Sequence, residues 1–344
     1  MTPRISSHSD ASGSMTVTEE ETPKHNPFNF KTQIVWRNVI LIGGAHLLFP
    51  VGVYLAITKA KWLTLALAVF LHFYSSMGIT AGVHRLWAHR TYRAKWPLRF
   101  ALMIANTIAF QNDIYEWSRD HRVHHKYTET DADPHNAKRG FFFSHVGWLL
   151  MRKHPEVIRK GKDIDMSDLM KDPIVMFQRR HYKPLMITLN LLLPSIIPWL
   201  CWGENLLVSY VINVSRWIFT VNATWLVNSA AHMWGDRPYD VTLNPAENTG
   251  VIILACGEGF HNYHHSFPRD YKTSEWGDYK FNVTTMFIDA MAKIGQAYDL
   301  KTMTQEQITA RIARTGPNSP LGRRLMQEGG TGRVELSTEI EHPY

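Results

Sequence analysis

The run NVILIGGAHLLFPVGVYLAIT, Asn38–Thr58, holds 21 residues without Asp, Glu, Lys or Arg, and WLTLALAVFLHFYSSMGITAGV, Trp62–Val83, holds 22 more. About 20 apolar residues cover the hydrocarbon core of a bilayer as a helix. Each run is therefore a membrane-span candidate. Two more follow: Leu185–Gly203, 19 residues without those four types, and 206–232, which carries the single charge Arg216. Burial inside a large soluble protein is the alternative, but four such runs in one chain are hard to bury in anything but lipid.

The connections decide the architecture. Lys59, Ala60 and Lys61 join the first two runs, and Glu204 and Asn205 join the second two. The sequence predicts two helical hairpins, each with both outer ends on one side. Between the hairpins, residues 84–184 carry 19 Lys or Arg. The positive-inside rule places that stretch, and with it both termini, in the cytosol. Arg216, mid-span, must snorkel or face the protein interior with a partner.

Working outward, residues 1–33 and 315–344 are polar and read as disordered tails. Trp96–Tyr115 and Phe141–Met151 read as helices lying at the membrane surface. A fifth span over Trp96–Tyr115 is the rival reading, and it would put His84 and His121 on opposite sides of the membrane. The fold class is an all-α membrane protein: four transmembrane helices in two hairpins under a helical cytosolic cap, over residues 34–314. The chain has 344 residues, 45% of them hydrophobic, and a formal charge of +7, concentrated on the cytosolic side. Its two cysteines, Cys201 and Cys256, exclude a disulfide scaffold.

Eighteen histidines are a surplus, and eight of them cluster: His84 and His89; His121, His124 and His125; His261, His264 and His265. In HxxHH the positions i, i+3 and i+4 share a helix face, so each triplet converges on one side. Neutral imidazole is the commonest protein metal ligand. Eight exceed the coordination of one ion and suit two, with about four nitrogens each. His84 and His89 point about 140° apart on an ideal helix and so fit different ions better than one. All three clusters reach the same membrane face. Structural zinc sites are closed and cysteine-rich, and HExxH is absent. An all-nitrogen pair at a lipid surface points to redox-active iron, which can activate O₂ and take hydrogen from unactivated carbon. The same pattern serves a hydroxylase. A metal transporter would need ligands strung across the bilayer, and here they gather on one side.

These residues resemble the membrane-bound acyl-CoA desaturases of the stearoyl-CoA, delta-9 type. The strings that carry the resemblance are GITAGVHRLWAHRTY (78–92), NDIYEWSRDHRVHHKYTETDADPHN (112–136), GFFFSHVGWLL (140–150), NSAAHMWGDRPYD (228–240) and GEGFHNYHHSFPRDY (257–271). It covers roughly 34–315. The texture is animal, and NPAE at 244–247 is similar to insect members. Arg269 departs from the aromatic or apolar residue expected after HNYHH.

The resemblance implies a ninth ligand, His232, with Asn228 one turn earlier holding a metal-bound water. It implies two Fe2+ ions, O₂, a saturated fatty acyl-CoA, and electrons from cytochrome b5 with its reductase, in the endoplasmic reticulum membrane. Membrane lipid surrounds the spans, and nucleic acid is no partner. Asn112, Arg119, Asp120, Arg152 and Lys153 match CoA-contacting positions, and Trp225 the CoA arm. Gln111, Trp117 and Thr220 match the bend of the acyl tunnel. Ala68 and His72, one turn apart in the second span, match its far end and would set chain length.

Overall fold

The structure, a computed structural model, describes residues 33–275, 279 and 281–327. The first hairpin is α1 (Trp36–Thr58) and α2 (Trp62–Met77), and α2 runs on through a wide-turned stretch, Gly78–Ala88. The cap then builds α3 (Trp96–Ala109), α4 (Ile114–Lys126), a second wide-turned stretch at Phe143–Gly147 that leads into α5 (Trp148–Leu150), α6 (Pro155–Lys162) and α7 (Ser167–Met170). The third span is α8 (Pro173–Met186), a wide-turned Ile187–Leu192 and α9 (Leu193–Trp202), with a kink at His181. The fourth is α10 (Leu206–Asn228), continued after a break by α11 (Ala230–Met233). Five short helices complete the cap: α12 (Thr249–Leu254), α13 (His261–Ser266), α14 (Val283–Lys293), α15 (Gln305–Thr315) and α16 (Pro320–Gln327). A two-stranded antiparallel ladder, β1 (Arg93–Ala94) on β2 (Ala297–Tyr298), ties the C-terminal part to the chain just after the first histidine pair.

Among the described residues, four helices are long and apolar enough to cross a membrane, over Trp36–Thr58, Trp62–Ala88, Pro173–Trp202 and Leu206–Met233. The protein is a multi-pass membrane protein. The fourth span is central: 67% of its apolar window is buried inside the protein, against 11% for the first. Small residues let the helices meet closely. A Cβ on Gly52 would lie 1.9 Å from Ser215 Oγ, and one on Gly78 would lie 2.2 Å from the backbone nitrogen of Asn106.

The two tight loops lock together. Glu204, 4% exposed, accepts from the Lys61 backbone N–H (2.8 Å) and the Thr64 hydroxyl (2.6 Å), while Lys61 Nζ donates to the carbonyls of Trp202 and Gly203. Arg216 faces the interior and donates to Asn213 Oδ1 at 2.9 Å. A charge at that depth costs about 2.5–3.5 kcal/mol on an insertion scale, so the partner is a requirement of the position.

Three expectations change. Trp96–Tyr115 is not one surface helix. Phe110 (φ 51) and Asn112 (φ 75) take left-handed backbone and end α3, and Asp113 then caps α4 by accepting from the Glu116 N–H at 3.0 Å. The inner face of α3, with Leu98, Leu102, Met103, Ala105 and Ile108, is buried, while Trp96 and Phe100 on the other face are exposed. The helix that holds the third apolar run starts earlier than Leu185, because α8 carries it back to Pro173. The C-terminal tail does not start at 315. The segment TGPNSP is a turn, Ser319 Oγ accepts from the Gly322 N–H (2.9 Å), and Pro320 opens α16. Residues 1–32 and 328–344 of the expected tails lie outside the described residues.

Candidate metal centre

Each histidine is delivered by a different local device. His84 and His89 sit at the end of the second span, where the His89 N–H bonds the His84 carbonyl (3.0 Å), five residues back. A turn closed at i+5 is wider than an α-turn. It brings residues five apart onto one side, so His84 and His89 serve the same pocket and not different ones. Sequence spacing on an ideal helix gave the wrong answer for that reason. The two triplets also behave differently from expectation. On α4, His121 and His125 are one turn apart and face one pocket, while His124 faces the other. On α13 the split is reversed: His264 joins the first pocket, and His261 and His265 the second.

The result is two adjoining pockets. His84, His89, His121, His125 and His264 make one, and His124, His232, His261 and His265 the other, with ligand atoms in each within 4.8 Å of one another. The ring nitrogens converge closely. Nε2 of His84 is 3.0 Å from that of His264, His89 is 2.7 Å from His121, His125 is 2.9 Å from His264, and His232 is 2.9 Å from His261. The pockets touch where the rings of His125 and His265 stack, centroids 4.2 Å apart. So the even division into four and four becomes five and four.

Three carboxylates stand behind the rings, and sequence reading passed over all of them. Glu258 takes the Nδ1–H of His84 at 2.8 Å, Asp133 that of His124 at 2.9 Å, and Glu129 lies 3.3 Å from Nδ1 of His232. Such partners fix the tautomer and leave Nε2 pointing inward. Arg85, fully buried, holds Glu258 at 2.8 Å and donates to the Tyr271 carbonyl and the Thr285 hydroxyl. Burial would raise the Glu258 carboxyl, but the Arg85 guanidinium and His84 outweigh it and hold it at about 2. Burial, with Asp133 beside it, pushes Glu129 up to about 7. His135 joins a smaller group with His124 and Asp133. The signal was in the quoted strings, in TETDADPHN and GEGF, but an acidic residue in a loop carries no periodicity to mark it.

Burial first, and the neighbouring rings second, hold His121, His125, His261, His264 and His265 well below the ordinary imidazole value, and His89 likewise. Neutral rings with nitrogens at 2.7–3.0 Å present lone pairs to one another. His265 Nε2 and Nδ1 of His261 and His264 are buried without a hydrogen-bond partner. An all-nitrogen donor set so arranged fits a cation in each pocket.

The other expected residues fall around this centre. Arg119 pairs with Asp120 (2.9 Å), and Lys153 bridges Asp120 and Glu116, so three of the expected CoA positions form one polar network on α4 and the segment before α6. Asn112 lies in the bend before α4, and Arg152 is exposed beside Lys153. The Trp117 ring lies against His121, centroids 4.8 Å apart. Gln111 donates to Thr224 Oγ1 (3.0 Å), and Thr220 Oγ1 is 2.9 Å from His72 Nδ1. Trp225 is buried between His46 and His145. Asn228 is the last residue of α10, half-buried, and Ala68 is half-buried one turn before His72.

Fold and site together define a membrane protein with histidine clusters able to bind metal where its spans enter the cap. The Fatty acid desaturase family profile matches residues 60–274. The chain is 60% identical to an Acyl-CoA Delta-9 desaturase of Acheta domesticus, over 84% of this chain and 81% of that one. It is 56% identical to an Acyl-CoA Delta12-desaturase of the same species, over 84% and 82%. It is also 56% identical to the Stearoyl-CoA desaturase of Homo sapiens, over 83% and 79%. The chain belongs to the fatty acid desaturase family.

Proposed function

We propose that the protein is an acyl-CoA desaturase of the delta-9 type, inserting a cis double bond into a saturated fatty acyl-CoA. The observation that carries the reading is the pair of adjoining imidazole pockets, five and four, at the cap end of four spans. The co-substrate is O₂, and two electrons come from cytochrome b5, itself reduced by its reductase. The four spans and their cap lie in the endoplasmic reticulum membrane with both termini cytosolic; the excess of Lys and Arg between the hairpins supports that orientation.

The nine histidines of the two pockets would hold two Fe2+ ions, and Asn228 a water on the four-histidine side. Bound iron supplies the activation of O₂ and the removal of two hydrogens from unactivated carbon. The chain's own residues do the rest. Burial keeps the imidazoles neutral and their lone pairs available. Glu258, Asp133 and Glu129 hold three rings in the ligating tautomer. Arg119, Lys153 and Arg152 are cations suited to CoA phosphates, with Asp120 and Asn112 fixing and bonding beside them. Trp225 faces the CoA arm. Trp117, flat against His121, walls the reacting carbons from water, and Gln111 and Thr220 shape the bend. Ala68 and His72 close the far end.

Expression in a desaturase-deficient yeast, followed by fatty-acid profiling, tests this. The expected product is a monounsaturated chain with its double bond at position 9. His124→Ala and His265→Ala should each abolish it, and full activity in either variant sinks the metal assignment. A hydroxylated chain would gain oxygen in the same mass spectrum. Chain lengths in that profile, with and without Ala68→Tyr, report on the tunnel end.

A further inference from the structure

Among the histidines that the mechanism leaves unused are two half-buried ones, His46 in the first span and His145 in the cap, and a single hydrogen-bond chain links them. His46 Nδ1 lies 2.8 Å from the Ile42 carbonyl, so Nδ1 carries the proton and Nε2 accepts from Asn222 Nδ2 at 3.1 Å. That amide also donates to the Ile218 carbonyl (2.8 Å), which fixes its orientation. Asn222 Oδ1 therefore faces His145 and takes its Nε2–H at 3.0 Å. His145 Nδ1 is then an acceptor, and the Ser229 hydroxyl, also at 3.0 Å, is its donor. The donors are assigned in turn from His46 to His145, and at the end of the chain the single Ser229 hydroxyl proton is shared between two acceptors, His145 Nδ1 and the Trp225 carbonyl.

Ser229 is where the chain ends and where the fourth span breaks. Its backbone (φ −109, ψ −76) separates α10 from α11, it is fully buried, and its carbonyl accepts the His232 N–H at 3.1 Å. Asn228 precedes it. A serine hydroxyl back-bonded only to its own helix, here to the Trp225 carbonyl at 2.9 Å, bends a helix without fixing the direction taken afterwards. The imidazole supplies that direction from outside the helix, anchored to α1 and α10 at its other end.

We propose that His145 is a positioning residue: through Ser229 it fixes the α10–α11 break that aims His232 into the four-histidine pocket. The inference rests on the assignment of His232 as a ligand. It concerns one pocket only, which gives it a signature that general destabilisation lacks. Loss of an outer partner to a metal ligand weakens metal binding about 10–100-fold.

The test uses full-length protein loaded with iron in detergent. Metal per chain and the two-component Mössbauer spectrum are read for Ser229→Ala and His145→Leu, with thermal unfolding recorded alongside. In both variants the expected result is loss of one iron component, the other being kept, at an unfolding temperature close to the parent. Two retained components with parental spectra would overturn the proposal, as would equal loss of both. His232→Ala is the control. If it too keeps both ions, the ligand assignment itself falls. If it loses one ion while Ser229→Ala loses none, only the role of His145 falls.

Discussion

At the residue scale the centre is a problem of keeping many bases together without protons. Six histidines have folded-state values well below the ordinary 6.5, burial being the main cause. Below about pH 6.5 the unfolded chain therefore binds more protons than the folded one, so stability rises with pH and is lost as pH falls through that value. Protons compete with metal in the same direction. Dialysis at about pH 5.5 should strip metal and lower the unfolding temperature relative to about pH 7.5. Metal analysis and a thermal melt check it, and a pH-independent metal content would contradict it. Eight of the nine ring positions stood out by spacing, because imidazole in repeated HxxHH pattern is rare and chemically pointed; the ninth, His232, stands alone in NSAAH and came only from the family resemblance. The carboxylates behind them were not. Glu258 matters because it sits between His84 and Arg85, a contact across 173 residues that no local pattern announces.

At the scale of elements, local conformation overrode ideal geometry. The four runs of apolar residues announced four spans, and the two short connections announced hairpins. The wide turn over Gly78–Ala88 had no mark in the sequence, so His84 and His89 were assigned apart when they belong together. Where that turn begins, α2 and α3 approach so closely that only glycine fits at position 78. The backbone there is ordinary helix (φ −60, ψ −34), so the constraint is space alone. Gly78→Ala should push the two helices apart and cost about 1–3 kcal/mol, the range for overpacking. Unfolding in detergent would show it as a lowered melting temperature, and a parental melt would mean that α3 yields freely. The break at Phe110–Asn112 was likewise hidden, because neither residue is a glycine and both take left-handed backbone.

At the scale of the whole molecule, two hairpins place both tight loops on one side and the histidines on the other. Tags placed before residue 33 and after residue 327 should both react with reagents that enter only from the cytosol. A site inserted at 59–61 or 203–205 should stay shielded until the membrane is breached. Opposite exposure of the two tags would rule out the paired-hairpin topology. The sequence carried the four spans and their pairing well, because apolar length is an additive property of long stretches. The packing order within the bundle, with the fourth span at its centre, depends on which small residues meet, as Gly52 does with Ser215, and only the folded chain shows it.

The braiding of the triplets has a consequence for biogenesis. Both pockets draw on α4, made early, and on α13, made only after the last span has left the ribosome. Neither can close on a nascent chain that ends short of His265. Completion of both donor sets is therefore a late event, following synthesis of all four spans.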